Sequence, residues 1–150
     1  MELKILKFAD ITGEDMYEIA RSRCEVFVGE QKITDEAELD GIDNQCYHIY
    51  YKENGRVAAY CRIVPKGLAY DYIAIGRVLV LKEYRRRGLA QKLLKEALKY
   101  IKEELKEDTV VLSAQVYAKS LYESVGFKEI SEVYEEAGIP HVKMKTKISI

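Results

Sequence analysis

Arg85-Arg86-Arg87-Gly88-Leu89-Ala90 follows the apolar run Val78-Leu79-Val80-Leu81 and precedes a long helical pattern. A helix that begins on a tight turn presents backbone N–H groups without internal partners, and its dipole adds positive potential there. Such a turn makes a site for a phosphate or pyrophosphate. Gly88 and Ala90 are small enough for a ligand to come close, and the three arginines supply cation density at the rim. A triple arginine also occurs as a plain solvated surface run; its place straight after an apolar strand favours the anion site. Gly88 is the only glycine in the turn, so the GxGxxG fingerprint of a dinucleotide site is missing.

Arg77 is the odd residue in the same apolar run. A buried guanidinium is costly unless paired. Either Glu30 or another acid pairs with it, or it faces a cleft and grips an anionic ligand, with Arg62 on the neighbouring strand joining it. Arg23 is a third candidate, read as solvated or ion-paired. His141 follows Pro140 at a strand start; an imidazole with pKa about 6.5 accepts a proton at neutral pH, and a hydrogen-bonded structural role competes. His48 is read as structural or as part of a ligand rim.

The elements that position these residues follow from periodicity. Leu3, Ile5, Leu6 and Phe8 predict a first strand. Thr12 can cap a helix whose buried face is Met16, Ile19, Ala20, Cys24 and Phe27. Glu30 to Asn44 carries six acidic residues and one lysine, and reads as a mobile or partner-facing loop. Tyr47–Lys52 and Val57–Val64, separated by Glu53-Asn54-Gly55-Arg56, predict a hairpin. Tyr72 to Leu81 is apolar on both faces and belongs in the middle of a covered sheet. Leu89, Leu93, Leu94, Ala97, Leu98, Ile101 and Leu105 mark an amphipathic helix. Thr109–Leu112 is a short buried strand, and a helix follows from about Tyr117 to Val125, ended by Gly126. Strands Phe127–Glu135 and His141–Ile148 close the chain. The order β-α-β-β-β-α-β-α-β-β predicts an α/β fold with a mixed sheet.

Composition excludes other classes. The 150 residues fit one domain, spanning 1–150. Net charge is −1, which argues against a dedicated nucleic-acid binder. No apolar run approaches the roughly 20 residues of a membrane helix, and the first residues lack the pattern of a signal peptide. Cys24, Cys46 and Cys61 lack CxxC spacing and read as reduced, buried thiols of a cytoplasmic protein. Two distant histidines make a zinc site improbable, so no metal is expected. GxSxG and GxxxxGK[ST] are absent, which removes sequence support for a serine hydrolase or P-loop NTPase.

Arg85-x-x-Gly88-x-Ala90 resembles the acyl-CoA-binding motif of the GNAT acetyltransferases, Q/R-x-x-G-x-G/A. Ala90 stands where a second glycine is commoner. Leu112-Ser-Ala-Gln115, Leu121-Tyr122-Glu-Ser-Val-Gly-Phe127 and Gly138-Ile-Pro-His141-Val-Lys-Met144 resemble the ElaA-type branch of that family. Val26-Phe-Val-Gly-Glu-Gln31, Glu38-x-Asp40 and Asp43 fit the same branch, so the likeness runs over about residues 15 to 146.

The resemblance implies a mixed, mostly antiparallel sheet of six to seven strands, with helices on both faces and a central V-shaped splay. It implies acetyl-CoA as co-substrate, its pyrophosphate on the N–H groups of Arg86, Arg87, Gly88, Leu89 and Ala90, with Arg85 at the mouth. The pantetheine arm would pair with freed backbone groups near Leu79 and Leu81, and Gln115 falls with the cofactor residues. Leu79 or Val80 N–H would serve the oxyanion. The implied reaction is acetyl transfer to a primary amine of a small molecule or peptide, by direct attack in a ternary complex. Tyr122 would protonate the departing thiolate, since a phenol pKa of about 10 lies near a thiol's 8.5; its competing reading is a packed helix aromatic. Relatives acting on glyphosate suggest His141 as base. Arg77, Arg62 and Glu30 are the candidate acceptor contacts. A non-catalytic acetyl-CoA or CoA sensor is the alternative. Nucleic-acid and membrane partners are not expected, and the last strands are candidates for pairing two subunits.

Overall fold

The apolar runs of the sequence pair into one mixed sheet in a computed structural model that describes residues 1–149. Its strands are β1 (Glu2–Lys7), β2 (Tyr47–Glu53), β3 (Arg56–Val64), β4 (Ile73–Val80), β5 (Thr109–Gln115), β6 (Lys128–Glu129), β7 (Tyr134–Glu136) and β8 (Ile139–Lys147). The spatial order is β1-β2-β3-β4-β5-β8-β6, with β7 also on β8. Every pairing is antiparallel except that of β4 with β5. The last predicted strand before the final one splits in two. The Ser131 hydroxyl accepts the Lys143 N–H at 2.9 Å, so a side chain replaces the backbone partner and the ladder breaks there. That split takes the count to eight.

Helices cover both faces. α1 (Gly13–Arg23) lies on one face, and Thr12 caps it by accepting the Asp15 N–H at 3.1 Å. α2 (Leu89–Glu103) and the short α3 (Lys119–Glu123) lie on the other. Leu93, Leu94, Ala97 and Ile101 of α2 are fully buried against the sheet. At ~1.5–3 kcal/mol for each large apolar side chain, this stripe supplies much of that face's cohesion. A π-helical turn, Cys24–Glu30, continues α1. Cys24 is exposed, not buried as expected, because the buried stripe of α1 runs through Asp15, Ile19, Ser22 and Arg23 and leaves it outside; Cys46 and Cys61 are buried. Phe8 leaves the first strand for a partly exposed 3₁₀ turn.

Strand β4 is irregular along both of its edges. Its parallel ladder with β5 stops after Ile73–Val110 and Ala74–Val111, and the strands then part. Toward β3, the register moves from Tyr60–Leu79 to Arg62–Gly76. Arg77 and Val78 therefore face the single residue Cys61, a β-bulge with Arg77 at φ +54°.

The acidic segment after the π turn is not a free loop. Arg23, fully buried, donates Nε to Glu38 at 2.8 Å, Nη1 to Asp43 at 2.7 Å and Nη2 to the Glu38 carbonyl at 2.9 Å. Arg62, 4% exposed, grips Asp40 with both terminal nitrogens at 2.9 and 2.6 Å and Asp43 at 2.9 Å. Arg77 donates Nε to Glu38 at 2.9 Å and Nη2 to Asp40 at 3.4 Å. Three arginines thus neutralise three carboxylates and pin the segment to α1, β3 and β4. Arg23 is accordingly ion-paired rather than solvated. His48 lies beneath: its Nε2–H donates to the Asp43 carbonyl at 2.9 Å, so Nδ1 accepts the Tyr60 hydroxyl proton at 2.6 Å. Burial keeps this imidazole neutral, a structural role.

The Arg62 hydrogen bond holds the Asp40 carboxyl at about 2. Burial alone would raise Asp43, but Arg23 and Arg62 hold it below the ordinary value. Carboxyls depressed in the folded state stabilise it above the unfolded pKa of about 3.9, and that contribution disappears as pH falls through the folded values. Thermal melts should therefore give a constant midpoint above about pH 5 and a falling one between about pH 4 and 2. A midpoint unchanged down to pH 2 would show that the network adds no stability.

Candidate functional site

Where β4 and β5 part, a cleft of about 810 Å³ opens through the sheet. At one end Arg85, Arg86, Gly88 and Ala90 line it; at the other stand Arg77, Glu136 and His141, with Tyr122 and Gln115 between. Of the sequence candidates, Leu79, Val80, Leu89, Arg62 and Glu30 also line it, whereas Leu81 and Arg87 do not. Leu81 is fully buried in the core. Arg87 lies 5.3 Å over the Tyr84 ring.

The turn before α2 has the geometry of an anion cradle. Arg86 has φ +66° and Gly88, the N-cap, φ +72°. No side chain caps the helix, and its first turn carries no acid. The leading N–H groups are thus left to a ligand, and the two left-handed residues, one residue apart, curl the turn in front of them. A Cβ at Gly88 would meet nothing within 4 Å, so backbone conformation, not space, requires glycine there.

Pleat alternation decides which groups of β4 face the gap. The Leu81 N–H donates to the Ala58 carbonyl on β3 at 2.8 Å. Leu79 and Leu81 therefore point their polar groups at β3, and Val80, with Val78 before it, turns them toward the gap. This corrects the placement of freed groups near Leu79 and Leu81. The Val80 carbonyl accepts from Arg85 Nε at 2.9 Å. Arg85 in turn meets Glu30 through Nη1 at 2.5 Å and Nη2 at 2.7 Å. Glu30 therefore pairs with Arg85 and not with Arg77, and it neutralises a guanidinium beside the anion turn.

Tyr122 is 8% exposed, with its ring edge-on to Phe127. Burial pushes its phenol well above the ordinary value, so it carries its proton at neutral pH. Its hydroxyl makes no hydrogen bond to another described residue. His141 lies across the cleft, stacked on Tyr134. Its Nδ1 is 2.7 Å from the Ile139 carbonyl, which can only accept, so Nδ1 bears hydrogen and Nε2 is the free base position. Glu136 stands 3.6 Å from Nε2.

A sheet opened between two parallel strands onto an uncapped helix start, with the Arg-x-x-Gly-x-Ala turn between, is matched in known proteins. The sequence model of an acetyltransferase (GNAT) domain matches residues 9–148. The chain belongs to the GNAT acetyltransferase family. Within it the chain falls on the ElaA-like branch. It is 31% identical to Escherichia coli ElaA over 150 residues, covering 99% of this chain and 97% of that one. The ElaA crystal structure superposes with a TM-score of 0.89, over 98% of this chain and 100% of that one. An acyl-CoA N-acyltransferase from Pseudomonas aeruginosa gives 0.89 at 32% identity, over 97% and 99%. A UPF0039 protein of Schizosaccharomyces pombe is 41% identical over 143 residues, 94% of this chain and 93% of that one.

Several residues of this GNAT site escaped the sequence reading. Gln31 and Tyr117 line the cleft, and Ser113 is hydrogen-bonded to the Tyr134 hydroxyl. Gln31, Ser113, Glu38, Asp40 and Asp43 were visible only as resemblance, with no role attached. The signal for the three acids was present: three arginines in apolar contexts require buried acids, and one nearby segment holds enough. Among the described residues no group of His, Cys, Asp and Glu is placed to hold a metal, and no helix is long and apolar enough to cross a membrane.

Gly88→Ala should cost about 1–2 kcal/mol in urea denaturation, the left-handed penalty of a Cβ. Gly13→Ala, on the first residue of α1 with open space around it, should leave stability unchanged or slightly raised. Equal effects at the two glycines would contradict the conformational account of the turn.

Proposed function

We propose that this protein transfers the acetyl group of acetyl-CoA to a primary amine of a small molecule or peptide, by direct attack in a ternary complex. One observation carries the reading. A single cleft runs from the uncapped start of α2, past the gap-facing groups of Val80 and Val78, to Tyr122 and His141. A diphosphate fits the turn of Arg86 to Ala90. An extended arm fits beside Val80 as an added strand, since buried peptide groups need partners. Bound acetyl-CoA supplies the activated acetyl group and a thiol leaving group.

The chain's own residues then have separate tasks. His141 Nε2 takes the proton that the amine must lose, with Glu136 beside it. The Val78 N–H, within the bulge, faces the negative charge that builds on the acetyl oxygen as the C–N bond forms. Tyr122 donates its phenolic proton to sulfur as the C–S bond breaks. Burial raises the phenol, so it meets the departing sulfur with its proton in place. At the acceptor end the charge of Arg62 and Arg77 is neutralised by Glu38, Asp40 and Asp43. Arg77 Nη1, without a partner among the described residues, is the guanidinium nitrogen left for an acceptor. Glu30, bound to Arg85, belongs in this reading to the cofactor side.

Two measurements test the roles. Tyr122→Phe should lower kcat about 100-fold or more while the Kd for CoA barely changes; unaltered turnover would remove Tyr122 from the reaction. His141→Ala should abolish the acidic limb of the kcat/KM profile against pH. Retention of that limb would assign the base to another group. A protein that binds acetyl-CoA but releases no thiol with any amine in a broad panel would be a sensor instead.

A further inference from the structure

The π-helical turn Cys24–Glu30 ends over the open side of the V, and two consecutive residues there reach both arms. Toward the β4 arm, Glu30 receives Arg85 Nη1 and Nη2 at 2.5 and 2.7 Å, while Arg85 Nε lies on the Val80 carbonyl at 2.9 Å. Toward the β5 arm, Gln31 Oε1 accepts from Gln115 Nε2 at 2.9 Å, and Gln31 Nε2 donates to the Tyr117 hydroxyl at 3.3 Å. All six residues line the same cleft. The ladder between the arms ends at Ala74 and Val111, so these side chains reconnect them across the gap.

The base of this bridge is fixed and its span is not. The Gln31 N–H is bonded to the Val26 carbonyl at 2.8 Å and the Ile33 N–H to the Phe27 carbonyl at 2.9 Å, and Val26 and Phe27 are buried. By contrast, the Glu30 and Arg85 side chains are 41% and 38% exposed. A half-exposed ion pair is weak and opens readily. The Val80 carbonyl has a second lone pair, so Arg85 and a ligand amide can share it.

We infer that Glu30 and Gln31 form a strap that closes over the pantetheine arm of the bound coenzyme and limits how fast it leaves. The inference rests on the reading of the cleft as a coenzyme A site. Glu30 acts through Arg85, and Gln31 through Gln115 and Tyr117; none of them needs to touch the reacting atoms.

The test compares two ligands on the wild type, Glu30→Gln and Gln31→Ala, by stopped-flow displacement. Coenzyme A carries the arm; 3′-phosphoadenosine 5′-diphosphate carries the diphosphate without it. Gln31→Ala should accelerate dissociation of coenzyme A roughly fivefold and leave that of the nucleotide unchanged, and Glu30→Gln should accelerate coenzyme A relative to the nucleotide, whose diphosphate the freed Arg85 charge holds longer. Unchanged release of coenzyme A in both variants overturns the strap. Equal acceleration of both ligands overturns it too, because the contacts would then act on the phosphate turn. A wild type that binds neither ligand overturns the coenzyme reading itself.

Discussion

The parallel ladder between β4 and β5 stops at Ala74 and Val111, and from there the strand edges line the cleft instead of pairing with each other. A strand edge without a neighbour presents its N–H and C=O groups for pairing. Val80, half-buried, turns both toward the cleft, and Arg85 takes up the carbonyl. The rest of the site is arranged around that opening. The uncapped start of α2 lies at one end of it because β4 leads directly into the Lys82–Gly88 turn. Tyr122 enters it because α3 packs on β5, the other arm. His141 borders it because β8 pairs with β5 out to Gln115.

An opened sheet has to be held open. The bulge at Arg77 bends β4, and a non-glycine residue in the left-handed region costs about 1–2 kcal/mol. The side chain it throws out meets Glu38 and Asp40, charge-assisted contacts of the kind that stabilise by a comparable amount. Arg23 and Arg62 complete the network from α1 and β3. Removing one member would strand a buried charge, which costs about 3–5 kcal/mol. The network therefore both stabilises the fold above the unfolded carboxyl pKa and fixes the acidic segment, the bulge and the cleft wall in one arrangement.

The order of strands and helices was legible because each long element carries one clear period: alternation or continuous apolarity for β2 to β5, the 3.6-residue stripe for α2. The anion turn was legible because a glycine and arginines sit between two such elements. What was not legible depends on side chains meeting across long separations in the chain. The segment of Glu30 to Asn44 reads as a mobile or partner-facing loop by composition, yet its carboxylates answer arginines on three other elements. Likewise the gap-facing residues of β4 could not be told from the sequence, since a single bulge shifts which neighbours share a side. Ser131 broke a predicted strand for the same reason: one hydroxyl finding one backbone donor is invisible to periodicity.

The two candidate proton carriers stand in different surroundings, and the difference suits the proposed chemistry. Tyr122 is enclosed with Phe127 and the core of α2, and burial holds its phenol above the ordinary value. A phenol there stays neutral and can only give a proton and recover it. His141 is buried too, but Glu136 at its free nitrogen is 45% exposed, so a proton taken up at Nε2 lies one carboxylate away from water. Transfer to an amine releases a proton to solvent while the leaving thiolate consumes one inside. A dry donor on the sulfur side and a base with an outlet on the acceptor side meet both requirements, and exchanging their positions would meet neither.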